Sequence, residues 1–127
     1  AKIILTIGMK TPRWPECHIP EWAEVLDKNR QQEKILAMLE KIVLRYKDSP
    51  AIRYWQVENE PFFPFGDCPW SDKKFVKKEV ELVKSLDEKK RPILITESGE
   101  LAVIETGQVI GFFGQDELSR YLKLKAE

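Results

Sequence analysis

With 127 residues, 43% of them apolar and 33% charged, the chain has the size and composition of one globular domain with one core. Lysine plus arginine and aspartate plus glutamate each total 21, so the net charge is zero. No basic stripe stands ready to neutralise phosphates, and no nucleic-acid partner is expected. No apolar run approaches the ~20 residues that span a bilayer and no leader precedes Ala1, so the expectation is a soluble chain without a membrane partner, cytoplasmic if expressed as it stands.

Residues 2–8 are a β-branched apolar run closed by Gly8, the pattern of a strand covered on both faces. A chain that opens in mid-strand without a methionine reads as a processed, excised or engineered piece. Residues 9–20 carry three prolines, which exclude regular structure there. From about residue 29 to 47, Ile35, Leu36, Leu39, Ile42, Val43 and Tyr46 fall at helical spacing on one stripe, and Asp48-Ser49-Pro50 stops the helix. Residues 51–57 predict a second strand, and 61–70 a loop rich in proline and aromatics.

Ser71 is the expected cap of a second helix running to about residue 88, with Asp72 in its first turn. Phe75, Val76, Val80, Val83 and Leu86 form its buried face, while the run Lys73-Lys74, Lys77-Lys78-Glu79 and Lys84 to Arg91 reads as its wet face. Arg91-Pro92 opens a third strand over residues 93–96, which leads to Glu97. Right-handed crossovers turn this βαβαβ order into a parallel sheet. Beyond it, residues 101–104 and 108–113 flank Glu105-Thr106-Gly107 as a hairpin, and Leu118, Tyr121 and Leu122 mark the inner face of a last helix. The expected fold is thus a single α/β domain over residues 1–127: a mostly parallel sheet, extended by a terminal hairpin and packed by three main helices.

Chemistry concentrates where the second strand ends in Asn59-Glu60-Pro61, an amide and a carboxylate at a strand tip, with Pro61 expected to keep Glu60 extended. Glu58, two residues earlier, reads as a solvated or hydrogen-bonded edge group. His18 is the only histidine, which leaves no Ser-His-Asp triad and no His-based metal site; its default role is loop hydrogen bonding. No metal or cofactor is expected. Trp14, Trp22, Trp55, Trp70, Phe62, Phe63 and Phe65 can stack on sugars or pack the loops, with packing favoured. Cys17 and Cys68 follow neighbouring strands and can approach, although free thiols are the default without a secretory mark.

Three segments in order, residues 11–20, Gln56-Val57-Glu58-Asn59-Glu60-Pro61 and residues 92–100, resemble the central strands and loops of bacterial cellulase-like TIM barrels. These belong to the retaining glycoside hydrolase clan whose fourth strand ends in Asn-Glu-Pro. Residues 1–100 would correspond to strands three to five, well under half of the ~250 residues of a complete barrel. The resemblance implies that Glu60 is the acid/base and that Asn59 holds the 2-hydroxyl of the reacting sugar. It also implies a carbohydrate ligand, with Trp14, Trp70 and His18 as substrate-binding candidates.

The clan's nucleophile comes from strand seven, which has no counterpart here. Glu97, ending the strand beside that of Glu60, is the candidate partner carboxylate but not the family's nucleophile. The expectation is therefore a barrel fragment, natural or designed, completed by residues 101–127 and carrying a vestigial site without turnover. Alternatives are a small or self-associating retaining β-glycosidase using Glu60 as acid/base, and a non-catalytic scaffold or interaction module; whichever holds, exposed sheet edges offer pairing with a second copy as a homo-oligomer. The element order of the tail is also similar to thioredoxin-like folds, but Cys17 lacks the second cysteine of a CxxC pair.

Overall fold

The computed structural model describes residues 1–63, 66–68 and 72–96, together with the backbone of 109–112. Among the described residues, four strands make one sheet in the order β1 (Ile3–Thr6), β2 (Ile52–Asn59), β3 (Ile93–Thr96) and β4 (Val109–Phe112), and every neighbouring pair is parallel. Helices α1 (Glu21–Glu24) and α2 (Lys28–Tyr46) lie between β1 and β2, and α3 (Lys73–Leu86) lies between β2 and β3. The chain is a small α/β domain whose parallel sheet packs against helices, as the alternation of patterns predicts.

Local chemistry explains the boundaries. Asp27 caps α2 by accepting the N–H of Arg30 at 3.1 Å. The cap of α3 is Asp72, which accepts the N–H of Lys74 at 2.9 Å, not the expected Ser71, which lies outside the described residues. α1 is the element that the sequence reading missed; it follows directly on Pro20, and at four residues it is too short to show a period.

The core lies between one face of the sheet and the two long helices. Leu39 and Val43 of α2, and Val76, Val80 and Val83 of α3, meet Ile7, Trp55, Val57, Ile93 and Ile95, all nearly or fully buried. β2 is central and buried from Trp55 to Asn59. β1 corrects an expectation: it stands at the edge of the described strands, and Ile3 and Ile4 are 43% and 50% exposed. A two-faced burial pattern in sequence cannot distinguish a central strand from an edge strand whose cover is incomplete.

At the N-terminal end of β2 the side chains form a clamp. Asp87, just past α3, is 2% exposed and accepts the indole N–H of Trp55 and the backbone N–H of Arg91, both at 3.0 Å. The Arg91 guanidinium lies 5.4 Å from the Trp55 ring and donates to the carbonyl of Lys47 after α2.

The tail is partly corrected. β4 is the second arm of the expected hairpin, and it adds to β3 in parallel, from Ile93↔Val109 to Thr96↔Phe112. The first arm, the last helix with Leu118, Tyr121 and Leu122, and Glu97 and Trp70 lie outside the described residues.

Candidate functional site

A parallel sheet sends the C-terminal tips of its strands to one rim, and here the loops after β1 and β2 meet there. Asn59 N–H donates to the Lys10 carbonyl at 3.0 Å and Glu60 N–H to the Thr96 carbonyl at 2.7 Å, so the end of β2 is tied on both sides. The two cysteines expected as free thiols are instead joined as Cys17–Cys68, because the loops of adjacent strands bring their Cα atoms to 5.2 Å. Gly66 sits beside this staple with φ 87°, and a Cβ there would meet the Pro15 carbonyl at 2.6 Å. Only glycine fits that crossing of the loops.

Asn59 is positioned by a polar chain across three strands. Thr6 Oγ1 donates to Gln56 Oε1 at 3.1 Å; Gln56 Nε2 donates to Thr96 Oγ1 at 2.9 Å and Asn59 Oδ1 at 3.3 Å; Thr96 Oγ1 donates to Asn59 Oδ1 at 2.8 Å. The Asn59 amide is 8% exposed, and its oxygen is occupied twice. Its orientation is thereby fixed, with the NH2 group turned away from that chain.

Glu60 departs from expectation. Its φ is 47°, so Pro61 does not hold it extended. A left-handed glutamate before proline is a strained conformation, and its surroundings hold it there. The Glu60 carbonyl accepts Lys10 Nζ at 2.8 Å and the Phe63 N–H at 3.1 Å. Lys10, only 3% exposed, also donates to the Phe63 carbonyl at 2.7 Å and lies 3.7 Å from the Glu16 carboxylate. This buried lysine, which the sequence reading passed over as part of a polar loop, is the peg on which the Glu60 turn hangs.

Glu58 is hydrogen-bonded, as one of its two readings had it, but it is neither solvated nor at an edge. It belongs to the central strand, is 4% exposed, and accepts the N–H groups of Met9 at 2.9 Å and Lys10 at 2.7 Å. Gly8 makes that approach possible, since a Cβ there would lie 1.9 Å from the Val57 carbonyl oxygen and 2.5 Å from Glu58 Cδ. Against Glu58 packs Glu79 of α3, expected on the wet face and in fact fully buried. Its position was legible: residue 79 follows Phe75 by four and precedes Val83 by four, inside the apolar stripe.

Neither Glu79 oxygen meets an N–H or hydroxyl, so the contact is a hydrogen bond only if one of the two acids keeps its proton. Burial and then the charge of Glu58 push Glu79 up to about 11. Burial raises Glu58 to about 7, held back by the N–H groups of Lys10 and Met9. Glu58 already takes two N–H donors and the Glu79 oxygens take none, so Glu79 is the proton holder of the pair.

The remaining candidates are spread along the rim. His18 is exposed, and its Nε2 donates to the Arg13 carbonyl at 3.2 Å, the loop-bonding role expected of it. Trp14 is 64% exposed and Trp22 60% exposed, whereas Trp55 is wholly in the core. His18, Trp22, Met9, Ile35 and Met38 border a largely apolar groove of about 370 Å³, within the size range of small-molecule sites. Among the described residues, no cluster of three or more His, Cys, Asp or Glu could hold a metal, and no helix is long and apolar enough to cross a membrane. The chain matches no protein-family model, and no curated protein matches it.

Proposed function

We propose that this domain carries a carbohydrate site of the retaining glycoside hydrolase type in vestigial form: Glu60 and Asn59 form the sugar-facing pair, and no turnover accompanies binding. The supporting observation is the state of Asn59 and Glu60. One is a buried amide whose orientation is fixed by Thr96 and Gln56; the other is a partly exposed carboxylate in a strained turn at the tip of the central strand. Such fixed geometry is what orienting a hydroxyl and transferring a proton require, and it is costly for a residue that only fills surface.

The lack of turnover follows from the missing partner. Retaining chemistry needs a second carboxylate ~5.5 Å away to attack the sugar. Glu58 cannot serve, because Met9, Lys10 and Glu79 occupy its carboxyl group on the far side from solvent. Aryl β-glucosides and β-cellobiosides should therefore hydrolyse no faster than in buffer, while glucose-based oligosaccharides perturb the Asn59 and Glu60 resonances. Turnover that disappears in Glu60→Gln with the fold intact would overturn the vestigial reading.

One observation favours a working glycosidase as the second reading. β2 and β3 are adjacent and parallel, with Asn59 opposite Thr96, so Glu60 and Glu97 are the next residues after paired positions. Loss of turnover in both Glu60→Gln and Glu97→Gln would establish that pair. The Cys17–Cys68 disulfide also favours an oxidising compartment over the cytoplasm.

A further inference from the structure

Buried acids are costly, and a helix that presents one to a sheet needs a reason for it. Glu79 is the polar member of the α3 stripe formed by Phe75, Val76, Val80 and Val83, and it is fully enclosed. The group it meets is Glu58, whose oxygens already take the Met9 and Lys10 N–H groups at 2.9 and 2.7 Å. Lys10 in turn donates its ammonium to the Glu60 and Phe63 carbonyls. The contacts thus run unbroken from α3, through Glu58 and the loop backbone, to the turn that carries Glu60.

We infer that Glu79 is a positioning residue: it keeps its proton, donates it in a hydrogen bond to Glu58, and so fixes the backbone of Met9 and Lys10 and, through Lys10, the Glu60 turn. A neutral acid completes the set of three donors that a buried Glu58 carboxylate requires, and it adds no second charge. A leucine or methionine would leave Glu58 short of a donor, and an ionised Glu79 would repel it.

Geometry leaves little alternative. Gly8 packs so closely on Glu58 that the strand and loop have no slack. A cavity of about 20 Å³, the size of one water, is lined by Glu58 and Glu79 together. The charged groups facing the pair are Lys10 and Glu16 from the loop after β1 and Asp72 from the start of α3. Asp72 is paired at 3.2 Å with Lys28 of α2. Lys10 is the nearest cation, and it favours the ionised form of Glu58, not of Glu79. The consequence for Glu60 rests on the functional reading above; the proton on Glu79 does not.

The test is carbon-detected NMR of the full chain with glutamate carboxyl labels, alongside Glu79→Gln and Glu79→Met. In the unsubstituted protein, one glutamate carboxyl should remain at its protonated shift at pH 8; a spectrum with every glutamate ionised at that pH overturns the inference. Glutamine keeps a neutral donor, so the amide resonances of Met9, Lys10 and Glu60 should stay in place. Methionine keeps the volume without the donor, so the same three resonances should move, or the fold should be lost while the glutamine variant keeps it. Unmoved resonances in Glu79→Met would show that residue 79 only fills space, and moved ones in Glu79→Gln would show that a neutral donor is not what Glu58 needs. None of these readouts involves a sugar, so failure of the carbohydrate reading leaves them untouched.

Discussion

Glu60 shows what a single residue of the rim costs and what sequence can say about it. Asn-Glu-Pro at a strand tip marks the place, but the sign of φ is set by the Lys10 and Thr96 bonds, which come from segments 50 and 36 residues away. The left-handed region costs a non-glycine residue roughly 1–2 kcal/mol, whereas glycine enters it freely. Glu60→Gly should therefore hold or raise stability by up to about 1 kcal/mol in urea titration, the trade expected where strain serves a site. A loss greater than that would mean that the Glu60 side chain is part of the fold, not of the site. Glu79 gives the complementary lesson. Its place in the apolar stripe was readable from spacing alone, but its partner was not, because the register that brings Glu58 beneath it includes an irregularity of β2 between Gln56 and Glu58.

At the scale of elements, long periodic segments were legible and connections were not. The Leu39/Val43 and Phe75/Val76/Val80/Val83 stripes specify α2 and α3 to within a residue or two, because helix burial is periodic and local. The parallel docking of β4, the disulfide and the Asp87 clamp are non-local, and no pattern within any one segment encodes them. The clamp makes a direct prediction. One Asp87 oxygen accepts the Trp55 indole N–H and the Arg91 backbone N–H, and the other lies 3.7 Å from the Arg91 guanidinium as its counter-charge in an enclosed site. Removing it leaves a cation and two donors buried without their acceptor, so Asp87→Ala should cost about 3–5 kcal/mol in chemical denaturation. A cost below about 1 kcal/mol would mean that water replaces the carboxylate and that Trp55 alone holds the end of α3 to β2.

For the whole molecule, the buried acids set the pH dependence and the sheet sets the minimum length. Glu58 and Glu79 both titrate above the ordinary 4.5 of a glutamate, so the folded chain binds more protons than the unfolded one as soon as pH exceeds that value. Their contribution is fully retained below about 4.5 and is lost as pH rises through the raised values of the folded pair. The melting temperature should consequently peak on the acid side of neutrality and fall on the alkaline side, and the fall beyond neutrality should be smaller in Glu79→Gln. Length follows from β4. Ile93, Leu94 and Ile95 of β3 are 1%, 4% and 1% exposed, and β4 covers the edge of that strand along its full length. Ending the chain after Gly99 would remove β4 and leave a buried-type apolar strand as an open edge, a template for pairing with other chains. Each such side chain is worth ~1.5–3 kcal/mol of burial, against ~5–15 kcal/mol for a whole domain. The shortened chain should therefore aggregate or melt without cooperativity, by light scattering and circular dichroism, although all of β1, β2, α2 and α3 is retained. A shortened chain that stays monomeric and melts in one sharp transition would place the stabilising core wholly between α2, α3 and the first three strands.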